Sequence, residues 1–298
     1  MKTNIALLIF FLIIALWAGI AFWGSSTSKP LEISWKIASQ TPLIFGVIPY
    51  DAEQSLAHEF SSLSIYLHKH LGREVKLMVA SSYKSLGQLL DTGNVEIARF
   101  SLASYERSHD ASNWEILCWP VISGKVFSRG IIVTSANGPV HTLEDLQGKH
   151  FAFVDPYSET GCIKAKSLFK ARGIEPLTFF SKISFSGNHS ASLNGVRTGL
   201  YDAAVVVETS LPKSNLKSED ESFAQEIRIL GFTEWIMTDP IVVRKDMSAE
   251  LKSKLKDLFV KMKDHELGAS VAADLKSSSS VDRFLAEDEA LKLLPPDE

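Results

Sequence analysis

Short apolar runs alternate with segments of helical period from about residue 43 to residue 285, and this alternation most constrains the fold. The run AAVVV at 203–207 is apolar at every position, so both faces of that strand must be covered. Buried strands separated by helices are the pattern of an α/β chain with parallel pairing. Leu56, Phe60, Leu63, Leu67 and Leu71 recur at three- and four-residue steps, which predicts a helix with one apolar face. Gly72 is its expected stop and Asp51 its candidate cap. Further strands are expected at 44–48, 75–79, 95–100, 130–134, 151–154, 183–185 and 241–243. Further helices are expected at 85–90, 142–146, 161–172, 189–200 and 248–264. The stretches 212–221 and 277–280 are rich in serine and read as surface loops.

With 298 residues the chain is long enough for one large domain or two lobes with cores of their own. Its net charge of −4 and scattered Lys and Arg exclude a nucleic-acid footprint. Residues 5–23 form an uncharged apolar run, close to the roughly 20 residues that cross a bilayer. Lys2 is the only charge before it, which keeps the N-terminus cytoplasmic and exports the rest. The run is long for a signal-peptide core and lacks a clean cleavage site. The expectation is a membrane anchor in the cytoplasmic membrane, a cleaved signal being the alternative, and a periplasmic body.

Two cysteines, Cys118 and Cys162, could pair in an exported protein. One falls at an apolar strand end and the other in a predicted first helical turn, which favours separate thiols. No cofactor motif or metal-ligand set stands out. His68 and His70 do not share a helix face, and His265-Glu266-Leu267-Gly268 lacks the second His of a zinc-protease helix.

The segment Asp155-Pro156-Tyr157-Ser158-Glu159-Thr160-Gly161 ends a buried strand and opens a helix. Small hydroxyls and unsatisfied N–H groups at a helix start can hold an oxyanion. In the same positions Ser158 and Thr160 could simply cap the helix. Other segments stand in a definite order around it. They are FGVIP at 45–49, LGREV at 71–75 with Ser82-Tyr83, ARFSLASY at 98–105, LEDLQG at 143–148, FSGNH at 185–189, and Asp202. Read together, they resemble the phosphonate-binding-protein family, the substrate-binding components of ABC importers for phosphonate, phosphite and phosphate.

That resemblance implies the two-lobed α/β type II periplasmic-binding fold, with ligand bound between lobes that close by a hinge. It divides the chain into an N-terminal signal-anchor or signal peptide with linker at 1–30, lobe 1 at 31–130 and 240–298, and lobe 2 at 131–239. Chain crossings are implied near 127–133 and 237–243. Ser158 and Thr160 match the loop hydroxyls that hold phosphonyl oxygens, and His189 matches a histidine on the same group. Tyr83 matches a cleft tyrosine. Asp239, and less closely Glu208, match carboxylates for the amino group of an aminoalkyl ligand. Phe127 stands where the family often has a tyrosine. Arg99 falls at a strand end, where it could offset a charge in the cleft or pair on the lobe surface.

Two departures stand out. Ser101 and Leu102 replace the usual Gly-Pro, and Glu159 replaces a central threonine in the oxyanion loop. A carboxylate aimed at a dianion in a desolvated cleft is strongly unfavourable. Three arrangements remain open: Glu159 points away, it is protonated and donates, or the ligand is less charged or zwitterionic. The functional expectation is a non-enzymatic solute-binding protein that delivers a small oxyanion to an ABC permease, without a cofactor. The alternative is a membrane-tethered sensing module with a membrane sensor protein as partner. A Ser158–His189–Asp hydrolase is disfavoured, because no G-x-S-x-G elbow is present.

Overall fold

A computed structural model describes residues 41–107, 113–211, 226–293 and 295. The apolar run 5–23 and the loop 212–221 lie outside the described residues. Among the described residues no helix is long and apolar enough to cross a membrane.

Two mixed sheets make two lobes. The first has the order β13-β4-β12-β3-β1-β2. Its strands are β1 Leu43–Val47, β2 Val75–Val79, β3 Ile97–Arg99, β4 Trp114–Ile122, β12 Ile241–Arg244 and β13 Val281–Leu285. The second has the order β10-β6-β9-β7-β8. It comprises β6 Gly130–Ser135, β7 His150–Phe153, β8 Lys182–Phe185, β9 Ala203–Val207 and β10 Ile227–Phe232. In each sheet three strands are parallel and the strands beyond them run antiparallel, so the sheets are mixed rather than wholly parallel.

The chain leaves the first sheet after Ile122 and returns to it at Ile241. Between those points β5 Phe127–Ser128 pairs antiparallel with β11 Ile236–Met237. This two-stranded ribbon carries both crossings.

The helix expected from the leucine spacing is α1, Glu53–Leu71. Its Leu56, Phe60, Leu63, Tyr66 and Leu67 are buried in the core of the first lobe. Each such side chain contributes about 1.5–3 kcal/mol of transfer free energy. The Tyr66 hydroxyl donates to the Leu258 carbonyl at 2.9 Å, tying α1 to the helix α7, Ala249–Val260. Gly72 takes a left-handed conformation, φ 64°, and its N–H closes the helix on the His68 carbonyl. Asp51 does not cap this helix. Ala52 is the N-cap residue, and Asp51 instead accepts from the Ala52 N–H and from the Ser190 hydroxyl of the other lobe.

The remaining helices are α2 Tyr83–Asp91, α3 Leu102–Arg107, α4 Lys164–Ala171, α5 Pro176–Phe179, α6 His189–Arg197, α8 Gly268–Ser279 and α9 Glu287–Ala290. Ser277, Ser278 and Ser279 belong to the last turn of α8, not to a loop. Their hydroxyls bond carbonyls one turn back at 2.8–2.9 Å, which lets a serine run remain helical. Cys118 lies inside β4 rather than at its end, and Cys118 and Cys162 are separate buried thiols. The core of the second lobe is built on Phe151 stacked against Phe180, with Phe169 edge-on to both.

Candidate functional site

The polar cleft between the lobes has a volume of about 250 Å3. Its wall in the second lobe is made by the loop after β7 and by the start of α6. The loop is held by its own backbone. Tyr157 N–H donates to Asp155 Oδ1 at 2.7 Å, and Val154 N–H to the Gly161 carbonyl at 2.9 Å. Ser158 Oγ accepts from Gly161 N–H at 3.0 Å, so this hydroxyl caps the wide helical turn Glu159–Ile163 ahead of α4. Capping and cleft-lining therefore coincide at Ser158. Thr160 lines the cleft at the same turn, where the first N–H groups have no intrahelical acceptor.

Gly161 is demanded by close approach. A Cβ there would stand 2.5 Å from Val154 Cβ. Gly161→Ala should therefore cost about 1–3 kcal/mol and displace the loop, since overpacking in a tight contact is not relieved locally. Chemical unfolding checks it, and an unchanged midpoint would show that the loop yields.

His189 opens α6 and is buried. Its backbone N–H donates to the Tyr50 carbonyl at 3.1 Å. Its Nδ1 accepts from Val207 N–H at 3.0 Å. Burial pushes the imidazole pKa down to about 3, so the ring is neutral, and with Nδ1 as acceptor the proton sits on Nε2. The cleft thus receives a neutral N–H donor.

The first lobe contributes Tyr50, Glu59, Tyr83 and Arg99. Arg99 Nη1 contacts Glu59 Oε1 at 3.0 Å and the Tyr50 hydroxyl at 2.9 Å. Tyr50 in turn donates to Glu59 Oε2 at 2.6 Å. Burial raises the pKa of Tyr50 and of Tyr83 well above the usual phenol value, so both remain phenols. Asp239, in the connection between β11 and β12, is also in the lining. Desolvation raises its pKa and Arg99 opposes that rise.

The lobes touch on both flanks of the cleft. On one side Ser104 Oγ and Ser101 Oγ reach the Tyr157 carbonyl at 3.2 and 3.4 Å, and Ala103 N–H donates to Glu159 Oε2 at 3.2 Å. The substituted Ser101 also caps α3 through Ser104 N–H at 3.2 Å. On the other side the Tyr50–His189 and Asp51–Ser190 bonds join lobe to lobe.

Of the residues singled out in the sequence, Tyr83, Ser158, Glu159, Thr160, His189 and Asp239 come together in the cleft. Phe127 and Glu208 are not among its lining. Phe127 pairs with Met237 in the ribbon, and Glu208 is held by Arg129 through bonds of 3.1 and 3.2 Å. Glu59, Tyr50 and Ser190 are site residues that the sequence does not single out, and Asp51 stands out there only as a candidate helix cap. Glu59 had a signal: it falls between Leu56, Phe60 and Leu63 on the apolar face of α1, where a charge needs a partner. Among the described residues no cluster of three or more His, Cys, Asp or Glu could hold a metal ion. His68 and His70 bond backbone carbonyls.

A family model described as "ABC transporter, phosphonate, periplasmic substrate-binding protein" matches residues 45–288. The phosphonates-binding periplasmic protein of Escherichia coli K12 is 25% identical over 250 residues, covering 82% of this chain and 73% of that protein. A binding-protein component of an ABC phosphonate transporter from Pseudomonas aeruginosa superposes with a TM-score of 0.74 at 22% identity, covering 85% of this chain and 84% of that one. PhnD1 from Prochlorococcus marinus, solved in complex with methylphosphonate, gives 0.71 at 19% identity, covering 82% and 92%. These likenesses support the two-lobed periplasmic-binding architecture.

Proposed function

We infer that this chain, which belongs to the family of periplasmic substrate-binding proteins of phosphonate ABC transporters, captures a small phosphorus oxyanion in the cleft between its lobes. The observation that carries this is the convergence of unlike donors on one cavity. The Thr160 hydroxyl and the opening turn of the Glu159–Ile163 segment stand on one wall with the neutral His189 ring, and the Tyr83 phenol stands on the other. Such donors bind a phosphoryl group without a dedicated arginine. Asp239, a carboxylate in the same cavity, suits the ammonium of an aminoalkyl ligand. The ligand then passes to an ABC permease on the extracytoplasmic side. The apolar run 5–23 tethers the protein to the membrane in this reading. The role is transport rather than catalysis.

The test is melting temperature against phosphate, phosphite, methylphosphonate, 2-aminoethylphosphonate and sulfate. A ligand at about 100 times its Kd adds roughly 2.7 kcal/mol, a rise of about 5 °C or more for a body of this size. Thr160→Ala should weaken binding by about 10- to 100-fold, the loss of one hydrogen bond to a charged group. If no phosphorus compound raised the melting temperature, the oxyanion function would be wrong. If Thr160→Ala bound as well as the parent, the site would lie elsewhere.

A further inference from the structure

The charge balance of the cleft is unusual for an anion site. Asp51, Glu59, Glu159 and Asp239 line it, and Arg99 is the one Lys or Arg among the described lining residues. Arg99 is already matched by Glu59 at 3.0 Å. Glu159 stands between the two hydroxyl residues of the oxyanion loop, and its carboxylate crosses to the first lobe to accept the Ala103 N–H at 3.2 Å. It is only partly exposed. Glu159 thereby places its carboxyl group at the cleft wall where the two lobes meet.

We propose that Glu159 sets the charge this site accepts, admitting phosphorus oxyanions with one negative charge and rejecting dianions. This rests on the oxyanion function inferred above. The accepted class comprises phosphinates and the singly protonated forms of phosphite and phosphonates. A singly charged group still presents two or three oxygens to Thr160 and His189. A second charge would lie beside the Glu159 carboxylate in a cavity poorly screened by water. Among the described lining residues the one Lys or Arg, Arg99, is paired with Glu59. Tyr50 and Tyr83 are uncharged phenols, His189 is a neutral ring, and Asp51 and Asp239 are further acids.

Calorimetric titration of the full chain with methylphosphonate and methylphosphinate, at one pH of about 8.5, tests this. The two ligands differ by one ionised oxygen replaced by hydrogen, and a common pH holds every protein group fixed. The parent should bind methylphosphinate at least about tenfold more tightly than methylphosphonate. Glu159→Gln keeps a side-chain carbonyl for the Ala103 N–H and removes the charge. It should gain at least about tenfold for methylphosphonate and lose most of the preference. Glu159→Thr gives the same comparison with a second side chain. A parent that prefers methylphosphonate, or a preference unchanged in both variants, would overturn the proposal while leaving oxyanion binding intact. If neither ligand bound to any of the three proteins, the oxyanion function itself would fall, and this proposal with it.

Discussion

Glu59→Ala should destabilise the fold by about 3–5 kcal/mol, the usual consequence of removing one partner from a buried ion pair. Glu59 and Arg99 are 6% and 8% exposed and lie 3.0 Å apart. The deletion would leave the Arg99 guanidinium in the cleft wall with only the Tyr50 hydroxyl among its present side-chain acceptors. Its Nε is already buried without a hydrogen-bond partner among the described residues. Tyr50 would lose the acceptor of its own proton as well. Replacing both charges, Glu59→Leu with Arg99→Met, should recover most of that loss, because two apolar groups of similar size need no pairing. Urea unfolding of the three proteins measures this. A loss below about 1 kcal/mol in Glu59→Ala would mean that water reaches the pair, as it does in exposed salt bridges.

His189 should make the protein acid-sensitive. Its pKa is lowered by burial to about 3 in the folded state, against about 6.5 in an unfolded chain. Below about pH 6.5 the unfolded state therefore takes up a proton that the folded state refuses. Stability from this group is intact at neutral pH, falls as pH drops through 6.5, and levels off below about 3. At pH 4 the deficit is about 3 kcal/mol. His189→Asn offers a carbonyl to the Val207 N–H in place of Nδ1 and does not titrate. Its stability should change less between pH 7 and pH 4 by about 2–3 kcal/mol. Equal pH dependence in parent and variant would show that the folded ring takes up a proton as readily as an unfolded one, and burial would not keep it neutral in acid.

The parts of the fold that could be read in the sequence are those where local pattern and burial agree. The apolar face of α1, the stop at Gly72 and the doubly covered β9 each announce themselves. The loop at 155–161 did so as well, because a strand, an Asp-Pro break and small hydroxyls stand in sequence there. Strand β4 was harder, since Pro120 sits inside it. Proline is tolerated there because the ladder with β12 ends at Cys118, and β4 pairs onward with β13 through Trp119–Ile122. The serine run at the end of α8 looked like a loop because its hydroxyl bonds to the preceding turn become visible only once the helix exists.

The candidate site divides in the same way. Ser158, Thr160 and His189 follow strand or turn signals within a few residues. The Tyr50–Glu59–Arg99 group unites β3, α1 and the loop between β1 and α1, across 40 residues or more, and only the tertiary fold assembles it. Glu159 shows the limit most clearly. Its identity marked a departure from the oxyanion loop, but whether it faced solvent or the opposite lobe depended on where α3 lies.

A crystal structure of the protein grown with methylphosphonate at mildly acidic pH decides where the ligand binds. The phosphonate group should lie in the cleft, within hydrogen-bonding distance of Thr160 Oγ1 and His189 Nε2. A ligand bound outside the cleft, or inside it but out of reach of both atoms, would contradict that placement.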